Sequence, residues 1–280
     1  MDDYLLSLLL GIIEGLTEFL PVSSTAHLRI AEQVFGLDLG SGYWKMYAIV
    51  IQLGAILCLP IYFRGRIAKF LSTFPKGERG NRTVLKHPLT LVVIAFVVTA
   101  IPAFLLTKLI GKHLEDLGLM AWALIVGGVV MWIVDAVYSK RFRIDHMEQM
   151  SLGQAIWIGA CQILSAVFPG TSRSMSTIAA GQIAGMSREA ALEFSFFLSM
   201  PTMAAATVYD LLKFLRHGGI GNMNHHEWII LLIGFVVSFF VAWGVVAWFM
   251  HWVRQHGFVP FAVYRILVGI VVLVWLARVM

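Results

Sequence analysis

Two glutamates in an otherwise apolar stretch, GIIEGLTEFL (11–20), are the first residues whose spacing suggests chemistry. Glu14 and Glu18 are four residues apart, so they lie on the same face of a helix. Two such carboxylates repel each other, and each is costly to bury in an apolar helix unless it is compensated. A divalent cation would compensate both, and carboxylate oxygens are ligands that Mg²⁺ and Ca²⁺ prefer. We therefore predict a Mg²⁺ or Ca²⁺ cofactor bound by Glu14 and Glu18, and a catalytic role for both.

Hydroxyl side chains and a histidine follow directly, after a proline that interrupts the apolar run in PVSSTAH (21–27). A hydroxyl can attack phosphorus when a base takes its proton, and histidine is the usual base near neutral pH. Ser24 and His27 are three residues apart, which brings them within reach on a helix, and we predict that both are catalytic. Ser24 as nucleophile with His27 as base is one scheme; His27 as nucleophile, with Ser24 and Ser172 orienting a phosphate, is another. Water activated by Glu18 or by the metal is a third, and the sequence leaves all three open.

A second proline, Pro169, interrupts another apolar run and opens the stretch PGTSRS (169–174). A helix that begins after such a break directs its free N–H groups and its positive dipole end outward, and this end binds phosphate readily. Arg173 adds a planar, permanently charged guanidinium that suits phosphate oxygens, so we predict that it is catalytic. The remaining polar groups at the two breaks are predicted to bind substrate: Ser23, Thr25, Gly170, Thr171, Ser172 and Ser174.

The composition is that of an integral membrane protein. Of the 280 residues, 59% are hydrophobic and only 13% are charged, and the mean hydropathy is +0.81; soluble domains are about 25% charged. Apolar stretches such as 89–106 and 228–249 approach or exceed the roughly 20 residues that span a bilayer. We therefore predict an all-α polytopic membrane protein. The net charge of +5 does not imply a nucleic-acid partner, because basic residues of membrane proteins collect in cytoplasmic loops.

An internal repeat relates the two interrupted segments. They match at a constant offset of 148, which places Gly11, Glu14 and Pro21 on Gly159, Gln162 and Pro169. A weaker match at an offset of 142 links LIVGGVV (124–130) with ILVGIVV (266–272). We predict one membrane domain, 1–280, built from two repeats, about 1–140 and 148–280. Eight hydrophobic segments are predicted, at about 4–35, 44–63, 88–110, 118–138, 152–185, 191–215, 228–250 and 259–279.

Each interrupted segment is predicted to enter the membrane and return to the same side as a re-entrant helical hairpin. Six spanning helices then remain, three in each repeat, and this odd number makes the two repeats inverted. The loop 64–87 carries seven basic residues, so we place it in the cytoplasm. The two hairpin tips then meet near the middle of the bilayer. At these tips the offset of 148 aligns Ser24 with Ser172 and Thr25 with Arg173.

Three further polar residues in apolar segments have structural explanations. Asp135 and Arg265 occupy roughly similar places in the two repeats, and a structural ion pair between them is one expectation. Glu193 is expected near a helix start, where a carboxylate complements the helix dipole.

EGLTEFLPVSSTAHL (14–28) and PGTSRS (169–174) resemble the signatures of the bacterial undecaprenyl-pyrophosphate phosphatases, an integral membrane family linked to bacitracin resistance. The resemblance covers essentially the whole chain, although Ala26 and Met175 stand where the family has glycine. It implies a metal-dependent hydrolase that converts undecaprenyl pyrophosphate to undecaprenyl phosphate and inorganic phosphate. This reaction recycles the lipid carrier of cell-wall (peptidoglycan) precursors. The resemblance also implies an inverted-repeat fold in the bacterial cytoplasmic membrane, with an active site that opens to the outer face.

The expected partners are a polyprenyl pyrophosphate lipid and the bilayer, with a homodimer left open. The alternative function is a secondary transporter or lipid flippase for an anionic substrate, because inverted repeats with broken helices are typical of transport folds. A phosphatase would release phosphate in detergent without a membrane gradient, whereas a transporter would need a sealed vesicle and would release none.

Overall fold

The structure is a computed structural model that describes residues 2–38, 42–77, 83–106, 116–216 and 223–279. Within these ranges the chain is helical, with short connections and no strand. The α-helices are α1 (Asp3–Thr17), α2 (Ser24–Phe35), α3 (Gly42–Tyr62), α4 (Arg64–Thr73), α5 (Pro88–Leu105), α6 (Leu117–Tyr138), α7 (Leu152–Val167), α8 (Arg173–Ile183), α9 (Arg188–Arg216), α10 (His225–Gln255) and α11 (Val259–Val279). Two short 3₁₀ helices are formed by Val84–Lys86 and Met147–Gln149.

Six helices in the described part of the chain are long and apolar enough to cross a membrane: α3, α5, α6, α9, α10 and α11. They coincide with the six uninterrupted segments predicted from sequence, so the all-α, multi-pass class is confirmed. The helices α9 and α10 begin earlier and end later than predicted. The basic stretch 64–87 is also not simply a loop, because Arg64–Thr73 is helical.

Each interrupted segment is divided into two short helices at the predicted break. The helices α1 and α2 contain 15 and 12 residues, and α7 and α8 contain 16 and 11. None of these four helices reaches the roughly 20 residues that cross a bilayer. Glycines let them pack closely on spanning helices, because a Cβ at Gly11 would lie 2.9 Å from the Gly234 carbonyl oxygen on α10. A Cβ at Gly159 would likewise lie 2.5 Å from the Ala95 carbonyl oxygen on α5.

Asp135 anchors one end of α6, and it does so without Arg265. Its buried carboxylate accepts hydrogen bonds from Arg188 at 2.7 and 2.8 Å, from Gln182 at 3.1 Å and from the Phe258 backbone N–H at 3.1 Å. The expected pair with Arg265 is therefore wrong. The offset of 142 itself aligns Arg265 with residue 123, more than three helical turns from Asp135, so the two residues are not at equivalent places.

Replacing Asp135 by asparagine is expected to lower the free energy of unfolding by about 2–3 kcal/mol. Breaking a buried ion pair costs about 3–5 kcal/mol, and the partial exposure of Arg188 reduces this value because solvent screens its charge. Thermal unfolding in detergent measures the change. Glu189→Gln is the matched control, since its ion pair with Arg254 is exposed. Equal unfolding temperatures for the two variants would contradict the anchoring role.

Arg66 on α4 binds two carboxylates where α4, the Met147–Gln149 turn and α9 meet. Its guanidinium lies 2.6 Å from Glu148 and 2.8 Å from Glu193. Glu193 lies beyond the first turn of α9, so the expected interaction with a helix start is replaced by this ion pair. Burial alone would raise the pKa of Glu148, but the hydrogen bonds and charge of Arg66 outweigh burial and lower it.

Candidate active site

The first break contains a strained serine. The helix α2 begins at Ser24, and its N-cap Ser23 has φ 74° and ψ 94° while its side chain accepts a hydrogen bond from the Ala26 N–H at 3.4 Å. A positive φ is uncommon for a residue other than glycine, and such strain is concentrated at functional sites. The cap leaves the first N–H groups of α2 directed toward the break.

The second break repeats this conformation. The helix α8 begins at Arg173, and its N-cap Ser172 has φ 73° and ψ 120° while its side chain accepts from the Met175 N–H at 3.3 Å. Ser23 and Ser172, which are 149 residues apart, are therefore the equivalent residues. The second break has one more residue after its proline, and it includes Gly170 with φ 89°. The predicted alignment of Ser24 with Ser172 is thus shifted by one residue, and Ser24 corresponds to Arg173.

The two glycine positions of the family signatures, Ala26 and Met175, do not disturb either break. Both residues lie inside helices, and the only positive φ values at non-glycine positions in the described chain belong to Ser23 and Ser172. Both side chains are buried in apolar clusters. Their extra bulk is thus accommodated in the packing behind the breaks.

Side chains from the two breaks contact each other. The Arg173 guanidinium lies 3.4 Å from the carboxylate of Glu18, the C-cap residue of α1. The Ser174 hydroxyl donates to the Leu20 carbonyl oxygen at 3.0 Å and lies 3.1 Å from the Ser172 hydroxyl. The structure thus places an acidic face and a guanidinium, which are 155 residues apart in sequence, in one site.

Glu18 is the shared partner at the centre of this site. Its second carboxylate oxygen accepts a short hydrogen bond from the Ser24 hydroxyl. The hydroxyl proton of Ser24 is therefore directed at Glu18, whereas the sequence suggested His27 as its acceptor. A buried carboxylate that binds both a serine hydroxyl and an arginine is placed to take a proton from the hydroxyl.

His27 is held by two other groups. Its Nδ1 lies 2.8 Å from the Ser23 carbonyl oxygen, and its Nε2 lies 2.8 Å from the Tyr264 hydroxyl on α11. Because a carbonyl can only accept, Nδ1 carries the proton in this bond, and Nε2 of the neutral ring accepts from tyrosine. The two rings are nearly parallel, at 6°. Tyr264 was not predicted, since nothing in its local sequence marks it and it is 237 residues from His27.

Arg265, the next residue of α11, joins the backbones of both breaks. Its fully buried guanidinium donates to the Pro21 carbonyl oxygen at 2.9 Å, to Thr171 at 2.9 Å and to Gly170 at 3.2 Å. Among the described residues it forms no ion pair with a carboxylate. The sequence offered one signal for this residue, a charge within an apolar segment, but not its partners.

Two of the predicted groups have unused hydrogen-bonding atoms. Both carboxylate oxygens of Glu14 and Nη1 of Arg173 are buried without a hydrogen-bond partner among the described residues. Unpartnered buried polar atoms of this kind are costly, so each of these two side chains is available for a further partner. Thr25 is exposed at the break and Thr171 is half-buried, so these two side chains remain accessible.

The carboxylates of Glu14 and Glu18 are donor groups of the kind that divalent cations such as Mg²⁺ prefer. Glu14 is 1% exposed and Glu18 is 8% exposed, and the two carboxylates act on each other electrostatically. Within the described ranges, no group of three or more His, Cys, Asp or Glu side chains could hold a metal. A cation here would thus have two protein carboxylates and would take its other ligands from substrate or water, as Mg²⁺ commonly does.

The fold and site define a polytopic helical membrane protein with a centre of acidic, basic and hydroxyl side chains between two interrupted segments. The chain belongs to the family described as "Bacitracin resistance protein BacA", whose profile matches residues 7–271. It is 68% identical to an undecaprenyl-diphosphatase of Koribacter versatilis (strain Ellin345), over 98% of this chain and 99% of that protein. It is 41% identical to the undecaprenyl-diphosphatases of Caldanaerobacter subterraneus subsp. tengcongensis and Xanthomonas oryzae pv. oryzae, in each case over 99% of this chain and 98% of that protein.

Proposed function

We propose that this protein hydrolyses undecaprenyl pyrophosphate to undecaprenyl phosphate and inorganic phosphate, and so recycles the lipid carrier for peptidoglycan synthesis. The observation that carries this proposal is the contact between Glu18 and Arg173 across the two breaks, beside an unpaired Glu14. A diphosphate headgroup with its counterion complements a site that has acidic and basic halves. The curated relatives that cover the full chain are named for this activity.

In this proposal the protein lies in the bacterial cytoplasmic membrane. It is an inverted repeat with two re-entrant hairpins, and its site opens to the outer face of the membrane. Basic residues in 64–87 and 139–151 support the orientation. The repeat is supported by pairwise packing: α1 packs on α10, and its counterpart α7 packs on α5. The helices α6 and α11 also cross at sequence-matched segments, since Gly128 approaches Ile266 and Gly269 approaches Ile125.

The phosphate groups would bind at the starts of α2 and α8, where backbone N–H groups and helix dipoles favour an anion. Nη1 of Arg173 has no partner and supplies a charged donor. The hydroxyls at the breaks, Thr25, Thr171 and Ser172, supply further donors around the headgroup. These groups hold the terminal phosphorus beside Ser24, and burial of the site limits access of bulk water.

The Ser24 hydroxyl donates its proton to Glu18 in a hydrogen bond. This geometry supports Ser24 as the nucleophile and Glu18 as the base that takes its proton. The Ser24 oxygen would form a bond to the terminal phosphorus, its proton would pass to Glu18, and undecaprenyl phosphate would leave. Water would then cleave the phosphoserine and release inorganic phosphate. This scheme keeps Ser24 as the attacking group and replaces His27 by Glu18 as the base.

Glu14 and Glu18 would hold the divalent cation, Mg²⁺ or Ca²⁺, which when bound neutralises charge on the pyrophosphate. The test of the proposed function is phosphate release by purified protein in detergent from a long-chain prenyl pyrophosphate. We expect release without any membrane gradient, and at least a ten-fold lower rate with a chelator, restored by adding Mg²⁺ or Ca²⁺. Absence of release under every condition would count against a phosphatase and would favour the transporter or flippase alternative.

Replacing Tyr264 by phenylalanine is expected to lower kcat about five-fold, since the hydrogen bond contributes about 1 kcal/mol and holds the His27 ring on the Ser23 carbonyl, directly before Ser24. The variant keeps the ring beside His27 and removes only the hydroxyl that Nε2 contacts. Steady-state phosphate release measures the effect. Tyr4→Phe is the matched control, because the Tyr4 hydroxyl binds His226 Nδ1 at 2.9 Å in an exposed pair. Wild-type kcat in Tyr264→Phe would show that the hydroxyl does not position His27.

A further inference from the structure

Arg265 has an unusual set of partners for a buried cation. All of its hydrogen-bond acceptors are backbone carbonyl oxygens, and they come from three separate elements: the first break, the second break and α6. Burying a guanidinium without a carboxylate is expensive. The corresponding residue of the first repeat, at the offset of 142, is Ala123, which carries no charge.

The carbonyl groups that Arg265 binds are those which the breaks leave without helical partners. Pro21, Gly170 and Thr171 lie between the end of one short helix and the start of the next, so their carbonyls cannot all be satisfied locally. In an apolar environment with no water each would be costly. One guanidinium has five N–H donors in a fixed plane, so a single side chain serves both breaks.

Satisfying these carbonyls also fixes where the reactive side chains lie. Ser24 follows Pro21 by three residues, and Arg173 follows Thr171 by two. A rigid link between the two backbones therefore sets the separation between the Ser24–Glu18 pair and the guanidinium of Arg173. Displacements of about 1 Å in such an arrangement can cost a hundred-fold in rate.

We propose that Arg265 is a positioning residue, which binds the backbone carbonyls of both interrupted segments and so sets the geometry of the site. This inference rests on the proposed phosphatase function only for its kinetic consequence. Its structural consequence is independent of activity: when Arg265 is displaced, both breaks loosen together, although they are far apart in sequence.

A single methyl group on a neighbouring helix can displace Arg265 without replacing it. A Cβ at Gly127 on α6 would lie 2.3 Å from Arg265 Nη2 and 2.9 Å from the terminal methyl of Met175. Alanine is also about 1 kcal/mol better than glycine in a helix interior, which favours a folded variant. Gly244→Ala is the matched control, because a Cβ at this position on α10 meets no heavy atom within 4 Å.

The experiment compares wild type, Gly127→Ala, Arg265→Lys and Gly244→Ala as purified, monodisperse protein in detergent. Two quantities are measured: kcat and KM for a long-chain prenyl pyrophosphate, and amide hydrogen exchange of peptides covering 19–27 and 167–175. We expect Gly127→Ala and Arg265→Lys to lower kcat at least ten-fold with KM changed less than three-fold. Exchange is expected to rise in both peptides together, and Gly244→Ala is expected to match wild type.

Each outcome bears on the proposal. Wild-type kcat in folded Gly127→Ala, or exchange that rises in only one of the two peptides, would overturn it. If Arg265→Lys yields no folded protein, Gly127→Ala decides. If even the wild type releases no phosphate, the proposed function fails, whereas a joint rise in exchange at both breaks would still support the positioning role and an unchanged exchange would overturn it.

Discussion

Glu18→Gln is expected to lower kcat for undecaprenyl pyrophosphate hydrolysis about 10³-fold, within the range of about 10²–10⁴ that general-base catalysis contributes. The amide keeps the size of the side chain and can still accept a hydrogen bond from Ser24, but it cannot take the proton. It also loses the charge that faces Arg173 at 3.4 Å and that would bind a cation. Loss of these functions corresponds to about 4 kcal/mol of transition-state stabilisation.

The folded state should tolerate this change. Glutamine at this position removes the charge that acts on Glu14 and also the charge that faces Arg173, so one lost interaction opposes folding and the other favours it. We therefore expect the thermal midpoint of Glu18→Gln to lie close to that of wild type. This combination of lost activity and retained stability is typical of residues kept for function.

Phosphate release and thermal unfolding of the same preparation test this prediction. Glu189→Gln is the control for the chemistry of the substitution, since Glu189 pairs with Arg254 on an exposed surface. It should retain wild-type kcat. A folded Glu18→Gln protein with more than a tenth of wild-type kcat would remove Glu18 from the role of base.

The membrane class, the six uninterrupted helices and the two breaks could be predicted from sequence because they depend on local properties. Runs of apolar residues near the length of a span, and prolines within such runs, act on the chain wherever it folds. The same holds for the polar residues beside the breaks. Their cost in an apolar segment is a property of each side chain and does not depend on its eventual partners.

The pairings within the site could not be predicted in the same way. The i, i+3 spacing suggested that Ser24 and His27 meet, yet the turn at Ser23 directs Ser24 toward Glu18 and His27 toward Tyr264. A helical spacing argument fails at a helix start because the preceding backbone, here with φ 74°, decides which groups face each other. The predicted partner of Arg265 was wrong for a different reason. Its actual partners are backbone carbonyl groups, and a backbone carbonyl carries no sequence signature.

The one-residue shift between the two repeats also arises from the backbone conformation at the breaks. An offset of 148 holds through Pro21 and Pro169, and the extra residue at the second break then changes it to 149. Without a gap, the offset of 148 runs past the prolines and aligns Ser24 with Ser172, whereas the backbone aligns the two N-caps, Ser23 and Ser172. Ser24 and Arg173 thus occupy equivalent first positions of α2 and α8, so the two copies of one cap supply different chemistry to a shared site.

Arg173→Met should abolish activity while leaving the protein folded, and this contrast separates a ligand-binding arginine from a structural one. The Arg173 side chain is 12% exposed, and its buried Nη1 has no partner among the described residues. The substitution breaks a single long ion pair at 3.4 Å, and Glu18 keeps its hydrogen bond from Ser24, so the loss of stability should be smaller than for an arginine with several close partners. Methionine also fills much of the same volume. Arg265, by contrast, donates to five backbone carbonyls and Arg188 donates two hydrogen bonds to Asp135, so their replacement should destabilise the protein.

Arg173→Lys distinguishes charge from shape. Lysine keeps a positive charge but presents a point charge instead of a planar fork. We expect kcat/KM to fall about 10²-fold in Arg173→Lys and about 10³-fold or more in Arg173→Met, as for removal of a preorganised charged donor. The KM for the lipid should rise in both variants, since the groups that Arg173 binds are present in the ground state as well as in the transition state.

Initial rates over a range of lipid concentrations, with thermal midpoints for each variant, provide the measurement. Arg254→Lys is the control, because the same substitution there affects only an exposed ion pair with Glu189. A lower midpoint for Arg173→Met, with activity lost only in proportion to the unfolded fraction, would assign Arg173 to the scaffold. Loss of activity in a protein that remains folded would assign its unpaired Nη1 to the phosphate of the substrate.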